Sequence, residues 1–569
     1  MKPSLSGMLR TYGPAALLLL VYLPILVHFR GNFELTSDDG MWVLLTRTVV
    51  EQKIFTLTGV MGSQGGPNSS LGVYLGAIPY AIHPSIHSIC AGVLAFVLLT
   101  HVLLLLAGQE LRDLSAGVWA SLLFFFAPAF FVFYNQKLWQ VAYLPFFSTL
   151  TLLLALRYVK TRRWQTLAGA YLGVGLCIGL HQGAMLLLPT VLFLPALLPR
   201  PARPGYRQML ACLSLLMLSL AHLLTWAWTD NRPALLALGA VLNLPLLCVR
   251  RGIQAERWFA PAVLLGPPLA LAAALAVVPD FHPLAALGRL IDLLPAFNAY
   301  IARHVAGDIP VYSPWLHSGG RWLSLPVAVF LAYIAGSLLR WRTLSLPEKV
   351  LFCWNWTSLW LLALSGLFFR EHPHQWFVFL FPAPFLAIAL TLRRPTQAHA
   401  PRLRWAGAGL LAALLASYLA ASSLYARFVE TSGGISWHMA NLSVKLEALS
   451  WIYSHAGGTQ AVLAEDPRVP WHAYGRTGWT AAAWGVLSDH PRQPPSGKPR
   501  VFYIHEPLGL AYNPELLSLN ARHSAAPPER FHSVQVFSLD RELPLPGEDV
   551  EVLSVRLSIL PFLPLRGGG

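Results

Sequence analysis

The stretch ELTSDDGMW, residues 34–42, sets two carboxylates side by side, Asp38 and Asp39, just after a long apolar run. In a chain only 12% charged, such a pair calls for a reason. One reason is capping: an Asp at a helix start satisfies free N–H groups and suits the positive end of the helix dipole. The other is chemistry: a carboxylate at the outer mouth of a helical bundle is placed to take a proton from a hydroxyl. The two roles are compatible, one Asp capping while the other acts as base.

Other polar groups stand at the ends of apolar runs. YNQKLWQVAYLPFF carries Lys137 and Gln140, and GLHQGAMLLLP carries His181 and Gln182. REHPHQWFVFLFPAP carries Arg370, His372 and His374, and Arg321 closes a polar segment before another apolar run. Each has a plain alternative. A Lys at a helix end can snorkel to the interface, and a lone His is often structural. The pair His372 and His374 resembles metal ligands only weakly, because Pro373 breaks any helix between them. Taken together, Asp38, Asp39, Lys137, His181, Arg321 and Arg370 fall on one predicted side of a membrane. An acid pair facing several basic groups suits a substrate with a phosphate leaving group and a hydroxyl to be deprotonated.

The elements that must position these groups follow from hydropathy. The chain has 569 residues, 55% of them hydrophobic, with mean hydropathy +0.53. Apolar runs long enough to cross a hydrocarbon core of about 30 Å recur as far as residue 424. Spans are predicted at 13–29, 88–108, 114–134, 140–157, 166–178, 184–199, 208–228, 234–249, 258–278, 322–340, 350–369, 375–392 and 405–424. With a cytoplasmic N-terminus, RYVKTRRW, RPARPGYR, VRRGIQAER, RWRTLSLPEK and RRPTQAHAPRLR all face the cytoplasm, while the opposite loops HQG and TDNRP are nearly free of basic residues. This is the charge bias that orients membrane proteins. It also accounts for the net charge of +15 without nucleic acid, since no basic stripe interleaved with aromatics occurs. The first apolar run follows Lys2 and Arg10 and lacks a small-residue cleavage site, so it reads as a retained helix. All five cysteines, Cys90, Cys177, Cys212, Cys248 and Cys353, lie in apolar runs, which argues against a disulfide framework or a thiolate zinc site.

Three segments are then predicted to face outward: residues 30–87, residues 279–321 and the tail from 425. The first has a helical pattern from Gly40 to about Phe55, with Trp42, Leu45 and Val49 on one face. Residues 58–79 are rich in Gly, Pro and Ser and read as an ordered loop. The apolar stretch LGVYLGAIPYAI is too short to cross and is expected to pack in the interface. The predicted domains are thus 1–424 in the membrane and 425–569 outside it. In the tail, WHMANLSVKLEALSWIYSHAGG reads as an amphipathic helix, and QAVLAE, RVFYIHE, SVQVFSLD and DVEVLSVRL read as strands.

Five stretches, in this order, resemble motifs of the GT-C class of multi-pass glycosyltransferases, and within it bacterial relatives of protein mannosyltransferases and aminoarabinose transferases. They are SDDGMWVLLTRTVV, LTGVMGSQGGPNSSLGVYLGAIPY, FYNQKLWQVAYLPFFSTLTLLLALR, GAYLGVGLCIGLHQGAMLLLP and HPHQWFVFLFPAPFLAIAL, and the likeness covers about residues 10–395. The resemblance implies a polytopic α-helical GT-C fold of about thirteen transmembrane helices, followed here by a small soluble α/β domain. It implies a bacterial inner-membrane enzyme with a cytoplasmic N-terminus and a periplasmic tail. The donor would be a sugar on a polyprenyl phosphate, and the acceptor an envelope glycan, lipid or protein. Asp39, or Asp38, inherits the role of base. Lys137, Arg321, Arg370 and His181 would hold the donor phosphate, and Gln140, Gln182 and His374 would contact substrate. Direct attack would invert the anomeric centre. No cofactor is required, and a divalent metal is compatible with the scheme.

The chain departs from the family pattern at GGPNSSLG, which is lengthened, and at Gln140, His181 and Gln182, which replace an Asn or acid and a basic residue. Rival readings are a lipid-linked oligosaccharide polymerase or ligase using Arg303 and His304, and a transporter or flippase using His101 and His222. No acid lies deep in a predicted span, which argues against carboxylate-coupled transport.

Overall fold

Apolar runs punctuated by polar turns build helices, and helices account for most of the residues seen in the computed structural model. It describes residues 5–28, 33, 37–56, 58–61, 67–127, 138–198, 203–224, 325–368, 382–396 and 401–432. In the tail it describes 434–436, 439–440, 442–456, 461–464, 500–505, 529–531 and 534–539. By its internal contacts the chain forms two compact units, residues 1–30 with 48–426, and residues 31–47 with 427–569.

The first unit begins with α1 (Leu5–His28). One side of α1 buries Ala15, Tyr22 and Leu26, while Leu17, Leu20 and Leu23 on the other remain exposed, an apolar surface suited to lipid. Next come α2 (Ser37–Glu51), a hairpin of β1 (Thr58–Met61) and β2 (Pro67–Ser69), and α3 (Leu71–Ile82). The helix expected from Gly40 therefore starts three residues earlier, and the stretch 58–79 is a hairpin followed by a helix rather than a loop throughout. Its Gly59 and Gly72 supply the close approaches described below.

The helical body follows. α4 (Ile86–Leu111) is about 39 Å long at 1.5 Å per residue. α5 (Leu114–Phe126) packs on it. The two helices meet backbone to backbone, because a Cβ on Gly108 would lie 2.1 Å from the Gly117 nitrogen. A 3-10 turn, Gln140–Tyr143, leads into α6 (Leu144–Thr161). Arg162, with φ 59°, closes α6 in the left-handed conformation, and α7 (Trp164–Leu180) starts two residues later. Two of the described helices, Ile86–Leu111 and Gln140–Thr161, are long and apolar enough to cross a membrane.

The expected span 184–199 is not one helix. It breaks into a 3-10 turn (Gln182–Leu187), α8 (Leu188–Leu192) and a second 3-10 turn (Leu194–Leu197). Pro189 and Pro195 sit at the first positions of the new pieces, where a missing N–H is tolerated. Then come α9 (Tyr206–Ser219), α10 (Leu325–Leu339), α11 (Leu346–Phe368), α12 (Ala383–Thr396) and α13 (Pro401–Ser432). The expected spans 234–249 and 258–278, and the outer segment 279–321, lie outside the described residues.

A buried polar node fixes α1 against α4 and α5. Tyr22 stacks on Phe125 at 3.8 Å between ring centroids, its hydroxyl meets Ser121 Oγ at 3.3 Å, and Ser121 Oγ meets His101 Nδ1 at 2.9 Å. His101 thereby has a structural explanation. At the far ends of the same helices, Glu110 bridges Arg157 and Lys160, both at 3.1 Å. Asp113 caps α5 through the Ala116 N–H at 3.0 Å and pairs with Arg393 of α12. All five charged residues belong to ends that hydropathy and loop charge assign to one side.

In the second unit, β3 (Gly434–Ser436) and β4 (Met439–Ala440) pair antiparallel. α14 (Leu442–Ala456) follows. β5 (Ala461–Ala464), β6 (Arg500–His505), β7 (Glu529–Phe531) and β8 (Val534–Leu539) form a sheet in the order β5-β6-β8-β7. β5 and β6 are parallel, and the other pairs are antiparallel. Three of the four expected tail strands coincide with β5, β6 and β8. β7 is additional, and the expected strand at 549–557 lies outside the described residues.

Candidate functional site

Asp38 and Asp39 fall in the first turn of α2. The backbone N–H groups of a first turn lack helical partners, and the dipole favours negative charge there. This locality tolerates two adjacent carboxylates better than a helix middle would. Three ties locate the segment. Before α2, the carbonyl of buried Phe33 accepts the Leu442 N–H at 2.8 Å, which ties Phe33 to the start of α14. After the acids, Trp42, Val43 and Thr46 are buried. At the far end, the Tyr80 hydroxyl donates to Glu51 Oε1 at 2.5 Å. Tyr74 then holds the following loop, donating to the Thr56 carbonyl at 2.7 Å and accepting the Thr56 N–H at 3.1 Å.

A second polar locality forms in the helical unit, where three distant stretches meet. The hairpin brings Gly59 and Ser69, α3 brings Gly72, the 3-10 turn brings Gln140, and the end of α7 brings Gly179. The contacts are close because three of these residues lack a side chain. A Cβ on Gly72 would lie 2.3 Å from Gln140 Cβ. One on Gly59 would lie 2.5 Å from the Ser69 carbonyl oxygen and 3.3 Å from Gln140 Oε1. One on Gly179 would lie 2.6 Å from Ser69 Oγ and 3.6 Å from His222 Cε1. Gly59, Gly72 and Gly179 thus serve close approach.

His181 and Gln182 directly follow α7. His181 caps the next turn, its Nδ1 accepting the Gly183 N–H at 3.1 Å. Burial pushes the imidazole down to about 4, so the ring is neutral at pH 7. With Nδ1 accepting, the single proton is on Nε2. His181 therefore carries no charge at pH 7, which narrows its expected part in phosphate binding.

Of the expected site residues, the structure brings Gln140 into this locality and sets His181 and Gln182 just beyond Gly179. Lys137, Arg321, Arg370 and His374, and the rival candidates Arg303 and His304, lie outside the described residues. Among the described residues no cluster of three or more His, Cys, Asp and Glu side chains is placed to hold a metal ion. The four described cysteines are buried thiols. Ser69 and His222 were not singled out as substrate contacts from sequence. Ser69 meets Gly179 across 110 positions of chain, and nothing local in either stretch signals the meeting.

No family model matches this chain, and no curated protein matches its sequence. Several solved structures resemble it. One is the apo oligosaccharyltransferase of Archaeoglobus fulgidus, with 13% identity, TM-score 0.48 and coverage of 83% of this chain and 64% of that one. Another is the oligosaccharyltransferase AglB of Archaeoglobus fulgidus in complex with an inhibitory peptide and a dolichol-phosphate, with 14% identity, TM-score 0.46 and coverage of 86% and 62%. A third is ArnT from Cupriavidus metallidurans bound to undecaprenyl phosphate, with 12% identity, TM-score 0.38 and coverage of 94% and 100%. The chain thus spans under two thirds of the archaeal proteins' length. These neighbours are GT-C glycosyltransferases, the class that the sequence motifs resemble. At such identities and TM-scores the likeness assigns no substrate and no chemistry to this chain.

Proposed function

We propose that this chain is a membrane glycosyltransferase that moves a sugar from a polyprenyl-phosphate carrier to an acceptor at the outer face of a bacterial inner membrane. The observation that carries this reading is the adjacent pair Asp38 and Asp39 in the first turn of a short helix, in a chain with helices apolar enough to cross a membrane. A lipid-linked donor fits such a protein physically, since the carrier can reach a site laterally between helices.

In this scheme Asp39 accepts the proton of the acceptor hydroxyl as that oxygen attacks the anomeric carbon. The bond from that carbon to the phosphate oxygen breaks, and polyprenyl phosphate leaves with the added negative charge. Attack from the face opposite the leaving group inverts the centre. Asp38 caps α2 and orients its neighbour. Lys137, Arg321 and Arg370 are assigned to the leaving phosphate, where cationic donors gain most as charge develops. His181, a neutral imidazole, is assigned to the same phosphate.

The acceptor is an envelope glycan, lipid or protein. Comparing envelope glycans by mass spectrometry with and without the gene tests the proposal. A sugar modification lost on deletion and restored by the gene is expected. An unchanged envelope, together with no release of polyprenyl phosphate by the purified protein from any polyprenyl-phosphate sugar, would overturn the assignment.

A further inference from the structure

The segments RYVKTRRW and RPARPGYR, residues 157–164 and 200–207, hold several basic residues and no acid. The fold brings them to one corner. The first turns from α6 into α7, the second enters α9, and the Cys212 Sγ–H of α9 meets the Trp164 carbonyl of α7 at 4.0 Å. Five residues of helix rise about 8 Å, so Arg207 stands about a turn and a half along α9 from that contact. Part of the charge is already neutralised, because Arg157 and Lys160 share Glu110. Arg162, Arg163 and Arg207 are exposed and form no ion pair among the described residues. Arg162 closes α6 with φ 59°, a left-handed position that Gly or Asn usually fills. An Arg there accepts a backbone cost and adds a charge.

α9 continues this corner as an apolar stripe. Tyr206, Leu210, Ser214 and Leu218 recur every four residues on one helix face, and all are exposed. From Tyr206 to Leu218 the stripe rises about 18 Å, a little more than half of a hydrocarbon core about 30 Å thick. Three unneutralised guanidinium groups at one end, and a stripe one leaflet deep leading away from them, complement one kind of molecule: an amphiphile with an anionic phosphate head and acyl tails. A free phosphate would leave the stripe uncovered, and a zwitterionic lipid would leave the charge unbalanced. Arg suits a phosphate, and Tyr suits the level of the headgroups.

We propose that Arg162, Arg163, Arg207 and the α9 face from Tyr206 to Leu218 form a docking site for one anionic phospholipid of the leaflet on that side. Charge that only orients the chain can sit anywhere in these loops, whereas the site needs it at these three positions beside the stripe. The inference rests on the reading of the chain as an integral membrane protein and not on sugar transfer.

The test titrates the full chain in detergent with phosphatidylglycerol or phosphatidylcholine and counts bound lipid by native mass spectrometry. Wild type is expected to bind one phosphatidylglycerol ahead of any others. Its preference over phosphatidylcholine should be about a hundredfold, three charges at about fivefold each. Arg162→Gln, Arg163→Gln and Arg207→Gln should each lower that preference about fivefold. Leu218→Ser should weaken both lipids alike and leave the preference intact. Arg340→Gln and Arg342→Gln, at exposed positions between α10 and α11, are controls and should leave the first lipid's affinity unchanged.

Melting checks that the variants fold. In phosphatidylcholine nanodiscs the three corner variants and their triple combination should melt like wild type. Adding phosphatidylglycerol should raise the wild-type midpoint and leave that of the triple variant level. Equal losses from the controls and the corner variants would mean that the basic face attracts anionic lipid diffusely, and would overturn the site. Tighter binding of polyprenyl phosphate than of phosphatidylglycerol, abolished by the same three changes, would give the corner to the carrier lipid and overturn it too. A wild-type protein without lipid preference would overturn the site while the proposed function stands. A chain that does not enter nanodiscs would overturn the membrane reading on which both rest.

Discussion

Replacing Gly72 with Ala tests the close approach on which the Gln140 locality depends. The added Cβ would lie 2.3 Å from Gln140 Cβ and 3.3 Å from Gln140 Cα. Carbon atoms in comfortable contact stand about 3.5–4.0 Å apart. Both opposing atoms are fixed to the backbone, so no side-chain rotation relieves the overlap. Either α3 or the 3-10 turn must shift by about 1 Å. Overpacking of this kind costs about 1–3 kcal/mol, against a gain of about 0.5–1 kcal/mol from replacing Gly with Ala in a helix. The net expectation is a loss of about 1–2 kcal/mol. Gly409, inside α13, is the control, because a Cβ there meets nothing within 4 Å. Gly409→Ala should therefore stabilise by about 0.5–1 kcal/mol. Unfolding midpoints of both variants in the same nanodiscs, followed by helical circular dichroism, should move in opposite directions. A Gly72→Ala protein as stable as the Gly409→Ala protein would refute the close packing of α3 on Gln140.

Two further predictions concern charge. Asp113→Ala should cost about 1–2 kcal/mol, because it removes the cap of α5 and a partner of Arg393, a side chain only 14% exposed. Glu110→Gln should cost less than about 1 kcal/mol, because its partners Arg157 and Lys160 are each 42% exposed and well screened. The same midpoint assay ranks the two, and the reverse order would contradict the reading of these ion pairs. His181 predicts a pH dependence. Its pKa falls from 6.5 in the unfolded chain to about 4 when folded, so between those values the unfolded state binds more protons. Its contribution to stability is therefore complete above about pH 6.5 and is lost as pH falls toward 4. His181→Gln should flatten the decline in midpoint between pH 7 and pH 5, and an identical slope in the variant would count against a buried neutral ring.

The helices were legible where length and hydropathy acted alone. The stretches 86–111, 140–161 and 164–180 match their predicted spans to within four residues at each end, because one continuous apolar run fixes a helix. Segment 184–199 was misread because its hydropathy is that of a span while Pro189 and Pro195 interrupt the backbone ladder, and composition averages over that detail. The hairpin at 58–69 was hidden among Gly, Pro and Ser, which signal a turn without specifying pairing. α2 was placed three residues late because its first turn is polar and periodicity begins only at Trp42. In the tail, alternating strands such as VQVFSL were visible, whereas ERF is too short to carry a pattern. At the candidate site, residue type marked Asp38, Asp39, Gln140 and His181. The meeting of Ser69 and of His222 with Gly179 depends on how α7, the helical turn 221–224 and the hairpin pack, and no local pattern encodes it.

The central claim is that Asp39 is a general base, and Asp39→Asn addresses it most directly. Asn retains an oxygen able to accept a backbone N–H, so capping of α2 is largely preserved. It lacks a carboxylate of pKa near 4, so it cannot take the acceptor proton. The measurement is the rate at which purified protein in nanodiscs releases polyprenyl phosphate from its sugar-linked form in the presence of acceptor. Asp39→Asn should express and melt like wild type while the rate falls about 100-fold or more, the usual scale for loss of a general base. Asp38→Asn should lose less. The opposite order would move the base to Asp38. Wild-type rates in both single variants and in the double variant would contradict the account.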